Sequence, residues 1–434
     1  MTDGKPIDTP SSPDAGRRAR LTVFLVVFID LLGFGIVLPQ LPLIGEEILN
    51  PLVPGGKDTP AAGLILGLLF ASYSGMQFLF APSWGRLSDR VGRRPILLLG
   101  LVGSVVFYAL FGVGSELGGR GQPIFGLILL FVARIGAGVA GATIAIAQAV
   151  IADVTPAEQR ARGMALIGAA FGIGFTFGPA LGALVLLIPE FRGGPGFLAA
   201  IMSLVALTIC YRQMPETLRS DAPGRHSGFE SLARLGEVLR TPGIGLVVLC
   251  FFMATFGFAM FETTLAILNE ALGFTRRENA MVFVVVGLTL MLSAGVLVRR
   301  LASRIPELTM LTGGIAGMVA GLAGIGATAY FRVAPDEAGR GPVLTLFGLS
   351  LIIAVVGFSF LNPSVQTLIS KWSDPHRQGE YLGVNQSASA LARVVGPVFG
   401  PLLFNLWPTH VLPYLTATLL LAAVMLSLPR LRRS

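Results

Sequence analysis

The sequence predicts an all-α membrane protein whose twelve transmembrane helices form two pseudo-symmetric six-helix halves. Three observations carry this. Apolar runs of about 20 residues recur from Leu21 almost to the C-terminus, each long enough to cross roughly 30 Å of hydrocarbon. Of the 434 residues, 53% are hydrophobic and 13% charged, against about 25% charged in an average globular chain, so a soluble fold could not cover itself with polar groups. Lysine and arginine fall mainly in alternate connections, the pattern of a chain threaded back and forth with a positive inside.

Residues 1–20 are rich in Pro, Ser and Asp and end in Arg17, Arg18 and Arg20, the composition of a disordered cytoplasmic tail. The first six spans are expected near 21–45, 62–84, 95–114, 123–151, 163–188 and 196–214. A polar stretch, 215–242, holds Pro223, Gly224 and Pro242 and reads as a cytoplasmic linker between the halves. The second six spans are expected near 243–268, 279–298, 308–330, 342–362, 381–404 and 411–429, giving bundles over 21–214 and 243–430. With both termini in the cytoplasm, 23 Lys and Arg lie inside and 7 outside.

Composition also excludes chemistry. His226, His376 and His410 all fall in polar connections, so no histidine-built metal or catalytic site lies at membrane depth. Neither an enzyme site nor a cofactor is expected. None of Lys5, Lys57 and Lys371 sits in a phosphate-cradling loop, which argues against ATP-driven transport by this chain. The net charge of +8 comes from arginines that punctuate spans, so no nucleic-acid partner is expected. Cys210 and Cys250 lie in apolar runs and read as small buried hydrophobes.

The halves read as copies. Gly85-Arg-Leu-Ser-Asp-Arg90 after the second span answers Gly295-Val-Leu-Val-Arg-Arg300 after the eighth. Gly178-Pro179 in the fifth span answers Gly396-Pro397 in the eleventh. Duplicated halves with a site between them suit a carrier that rocks around a fixed midplane site.

The segment Gly85-Arg-Leu-Ser-Asp-Arg-Val-Gly-Arg-Arg94 resembles the cytoplasmic loop signature of the major facilitator superfamily. Gly174-Phe-Thr-Phe-Gly-Pro-Ala-Leu-Gly182 resembles the antiporter motif of drug/proton exchangers, with Ala183 where a further glycine is common. Arg134, followed by Gly136, Gly138 and Gly141, is similar to the family's fourth-span pattern, and residues 28–42 look like the opening helix of tetracycline/proton antiporters. The resemblance implies proton-coupled export of small lipophilic or amphiphilic compounds by alternating access. It also implies a monomer in a bacterial inner membrane. Tetracycline exporters carry an acidic residue in the ninth span, and 308–330 has none, so tetracycline itself is not the expected substrate. Two other readings stand beside export: proton-coupled import of an anionic metabolite, which Arg134 and Arg393 would suit, and a non-transporting sensor or scaffold.

Four ionisable residues remain at membrane depth, Asp30, Arg134, Glu262 and Arg393. Each costs about 2.5–3.5 kcal/mol at a helix centre and so needs a use. Asp30 and Arg134 are expected to pair near the midplane and relay a proton, and Glu262 to pair with Arg393 or hold a proton. The rings of Phe256, Phe258 and Phe261 offer faces to a lipophilic cation near Glu262. Gly85 and Gly92 are expected to shape a tight turn, with Asp89 and the arginines Arg90, Arg93 and Arg94 latching the two halves together. Gly174, Gly178, Pro179 and Gly182 are expected to thin and bend the fifth span. Phe34, Gln77, Gln148, Phe258, Asn362, Gln366, Asn385 and Gln386 are candidates to line the substrate cavity.

Overall fold

A computed structural model describes residues 13–37, 40–141, 143–155, 191–218, 240–241, 243–301, 304–331, 340–373 and 378–429, with scattered positions between 170 and 188 and at 236. In chain order the helices are α1 Pro13–Val37, α2 Gln40–Leu49, α3 Pro60–Val91, α4 Arg93–Gly119, α5 Pro123–Ala140, α6 Thr143–Val154 and α7 Gly194–Gln213. The second half contributes α8 Ile244–Ala271, α9 Arg276–Leu292, α10 Glu307–Tyr330, α11 Arg340–Trp372, α12 Gln378–Leu406 and α13 Leu412–Ser427. A wide π turn, Ser293–Val298, and a last turn, Arg299–Leu301, extend α9. Among the described residues ten helices are long and apolar enough to cross a bilayer, and α13 is a shorter apolar one. This is an all-α, multi-pass membrane fold, in which every helix satisfies its own backbone polar groups away from water.

Several spans depart from their expected ends. The first, expected as one run over 21–45, is helical up to Val37 and again from Gln40 to Leu49, with 38 and 39 outside the described residues. The second runs on to Val91, so most of the loop signature is helical. The fourth is interrupted at Gly141. There the Gln77 side chain donates to the Gly141 carbonyl at 2.7 Å, and a Cβ on Gly141 would stand 2.8 Å from the Tyr73 hydroxyl. The interruption makes room for two polar groups of α3 and satisfies the carbonyl it frees. The fifth span lies largely outside the described residues, although 173–174, 177–178, 181–182 and 184–185 are helical.

Between lipid-solvated helices apolar burial drives little association, so small residues that permit close contact matter more. α10 and α11 meet along glycines: a Cβ on Gly314 would lie 2.8 Å from the Gly357 carbonyl, and one on Gly321 would lie 2.5 Å from Ala354 N and Ser350 O. α1 meets the fifth span in the same way. Cβ atoms on Gly174 and Gly178 would strike Leu31 and Gly35 at 2.8 and 2.7 Å, and one on Gly182 would strike Ile36 O. The elements before residue 215 pack around Val26, Leu97, Leu101 and Val150 and, nearer Lys57, around Ile36, Ile48, Phe70 and Phe111. Those after 243 share one core that includes Phe261, Leu311, Met318, Val355 and Phe404. Tyr330 and Trp407 stand exposed at the Lys57 end of the bundle, and Tyr211 and Trp372 at the Asp89 end, as an aromatic belt requires.

Candidate functional site

Asp30 on α1 is 3% exposed, and its Oδ1 accepts from the Ser104 hydroxyl of α4 at 3.2 Å. Arg134 on α5 is 1% exposed. Its guanidinium lies over the Tyr73 ring at 4.6 Å and the Phe34 ring at 5.6 Å, where the ring quadrupoles attract a cation. Nε and Nη2 point to the Leu69 and Phe70 carbonyls at 3.4 and 3.5 Å, and Nη1 is buried without a hydrogen-bond partner. Two phenols connect the surroundings of Asp30 and Arg134. Tyr73 of α3 and Tyr108 of α4 are hydrogen-bonded to each other, and both charges act on both phenols. Gly33 lets Tyr108 approach, since a Cβ there would lie 3.2 Å from its ring. Phe34 packs on Tyr73 at 4.8 Å between centroids and so covers the cluster.

The second half holds its charges more openly. Glu262 of α8 is half-buried and Arg393 of α12 is exposed, and each lies within electrostatic reach of the other. One turn before Glu262, Phe258 stacks on Phe358 of α11 at 3.9 Å, while a Cβ on Gly396 of α12 would touch Ala259 at 2.8 Å. Residues three and four apart share a helix face, so Glu262 faces the gap between α11 and α12. The rings expected to receive a cation are committed elsewhere: Phe258 and Phe261 are buried in the core of this half. Asn385 is buried as well, with its Oδ1 lacking a hydrogen-bond partner. Asn362 and Gln366, one and two turns beyond Phe358, are exposed and bonded to each other at 2.9 Å. Gln77 is engaged with backbone, and the side chains of Gln148 and Pro179 lie outside the described residues.

The loop signature forms a charge knot within the first half. Arg93 is buried and pairs with Asp89 at 2.5 Å and Asp153 of α6 at 3.0 Å, while its Nη1 donates to Ser88 at 2.6 Å. Glu216, behind α7, accepts the Arg93 and Arg94 backbone N–H groups at 2.8 and 3.2 Å, capping α4 where its dipole favours an anion. Gly92 adopts φ +115°, and a Cβ there would collide with the Glu216 carboxylate at 2.5 Å, so this position requires glycine twice over. Gly85 does not shape the turn: it lies inside α3 with open space around its would-be Cβ. Arg94 reaches the Tyr211 carbonyl at 2.7 Å, and Arg90 is exposed. In this conformation the knot ties α3, α4, α6 and the segment behind α7 together, where a latch between the halves was expected.

The halves meet instead at the other end. Lys57 pairs with Glu270 at 2.8 Å, and Asn405 of α12 donates to the Lys57 and Thr59 carbonyls at 3.0 and 3.1 Å. Below them α3 and α12 touch backbone to backbone, with Gly63 against Pro401 and Gly67 2.6 Å (as a would-be Cβ) from the Pro397 carbonyl. The carbonyls that press on these glycines belong to prolines inside α12. Sequence reasoning missed Ser104, Tyr73, Tyr108, Lys57, Glu270, Asn405 and Glu216. The readable signal was scarcity: the chain has 6 tyrosines, and two fall deep inside predicted spans.

The family model of the Major Facilitator Superfamily matches residues 23–335 and 318–434. The chain belongs to the major facilitator superfamily. It is 30% identical to the class E tetracycline resistance protein of Escherichia coli over 89% of this chain and 88% of that one. It is 29% identical to the major facilitator superfamily domain-containing protein 10 of Bos taurus, covering 92% and 89% of the two chains. Among solved structures, the human organic anion transporter MFSD10 (TETRAN) superposes with a TM-score of 0.65 at 27% identity over 96% of this chain and 100% of that one. A D-xylose–proton symporter at 18% identity shares the fold, with a TM-score of 0.75 over 95% of this chain and 97% of that one. Membership makes this major facilitator chain a transporter of small molecules across a membrane.

Proposed function

We propose that the chain is a proton-coupled exporter of small amphiphilic compounds, working as a monomer in a cell inner membrane with both termini cytoplasmic. The observation that carries this reading is the unequal state of two sets of opposite charges at membrane depth. Asp30 and Arg134 are sealed at 3% and 1% exposure, while Glu262 and Arg393 remain reachable. With the Lys57 end closed, the sealed carboxylate exchanges its proton only when the halves rock, which couples a proton to the change of access. Relatives named for tetracycline resistance support export, and one named as an organic anion transporter supports an organic cargo.

The test uses purified protein in proteoliposomes with an internal pH dye. Addition of a transported compound should move protons opposite to the compound. Movement in the same direction identifies an importer, and no movement removes proton coupling.

A further inference from the structure

α12 is contacted from two sides. Gly396 and Gly400 meet α8 at Ala259, Met260 and Thr263, whereas Pro397 and Val398 meet α3 at Gly67. Arg393 lies one turn before Gly396 and Pro397, so it projects between these two neighbours, into the cleft where α3 and α8 from opposite halves face each other. Leu391, Phe399 and Leu406 are exposed apolar residues of α12 on other faces of the helix, with Phe399 packed edge-on against Phe256 of α8 at 6.2 Å. Arg393 is nonetheless exposed, and Gln386, seven residues earlier and therefore on the same face, is exposed as well. An exposed guanidinium with an exposed amide two turns earlier on the same face, turned from the exposed apolar residues of α12, is a surface rich in donors.

We propose that Arg393, with Gln386 two turns earlier on the same face, binds the oxyanion of an amphiphilic organic anion in the cleft, and that Glu262 is the internal carboxylate this anion competes with. The planar fork of a guanidinium suits a carboxylate or sulfonate better than a point charge does. Glu262, turned toward the gap between α11 and α12, lies within electrostatic reach of Arg393 and supplies the counter-charge when the site is empty. The assignment rests on the transport reading, but binding and coupling are separable.

The probes are pyrenebutyrate, its neutral amide and the corresponding primary amine, titrated by fluorescence anisotropy into the full-length protein in nanodiscs. Wild type should bind the carboxylate at least tenfold more tightly than the amide or the amine. Arg393→Gln should bring the carboxylate down to the level of the amide, Arg393→Lys should retain part of the preference, and Glu262→Gln should tighten the carboxylate several-fold. Arg393→Lys keeps a cation and serves if Arg393→Gln does not fold. Equal binding of the three probes by wild type, binding of none, or a preference that survives Arg393→Gln overturns the proposal. Anion selectivity without proton flux in proteoliposomes would leave the site standing and remove coupled export. Coupled flux unaffected by Arg393→Gln would do the reverse.

Discussion

Tyr73 is the side chain on which both first-half charges act while its ring touches one of them. Its ring supports the Arg134 guanidinium at 4.6 Å and its hydroxyl bonds Tyr108, on which both Asp30 and Arg134 also act. Tyr73→Phe keeps the ring and deletes the hydroxyl, leaving the Tyr108 hydroxyl buried without this partner. A loss of that kind costs about 1–3 kcal/mol, which thermal unfolding in detergent should register. Gradient-driven transport should fall roughly tenfold while binding persists, because 1.4 kcal/mol corresponds to about that factor; unchanged transport would show that the phenols do not link the charges. Asp30, Arg134, Glu262 and Arg393 were legible in the sequence because an ion in hydrocarbon is too unfavourable to be incidental. Ser104, Tyr73 and Tyr108 were not, since neutral polar side chains are tolerated in spans for many reasons.

At the scale of the helix, the apolar runs located nearly every element but not their ends. α3 continues past its apolar stretch to Val91 because the charged turns that follow still bond as helix, up to the positive φ of Gly92. Glycine positions were visible in the sequence, but their uses were not. Gly85 and Gly92 look equivalent in the loop signature, and only contacts across space distinguish the one that Glu216 crowds from the one with room to spare. The interruption at Gly141 was equally hidden, because its cause lies on α3. Gly67 supplies the sharpest test at this scale. Its would-be Cβ is 2.6 Å from the Pro397 carbonyl, so Gly67→Leu should wedge α3 from α12 at the Lys57 end. A cysteine placed at Ile267, beside the crevice lined by Lys57, Gly63 and Asn405, should then label with a membrane-impermeant maleimide several-fold faster than in the unwedged protein. An unchanged rate would mean that this contact does not hold the end shut.

For the molecule as a whole, the question is what holds one end closed and what a proton does to that balance. The Lys57–Glu270 pair joins the halves with side chains about one-third exposed, 34% and 38%. Such pairs contribute about 0.2–1 kcal/mol, enough to bias a rocking equilibrium a few-fold without locking it. Lys57→Glu should therefore raise labelling at the Lys57 end, and adding Glu270→Lys should restore it; a double variant as open as the single one would assign closure to the helix contacts alone. The central claim, that Asp30 carries the proton which this rocking moves, is tested most directly by proton flux in proteoliposomes containing Asp30→Asn, with compound binding measured on the same preparation. The account predicts retained binding and no compound-dependent proton movement. Flux at the wild-type rate would contradict it.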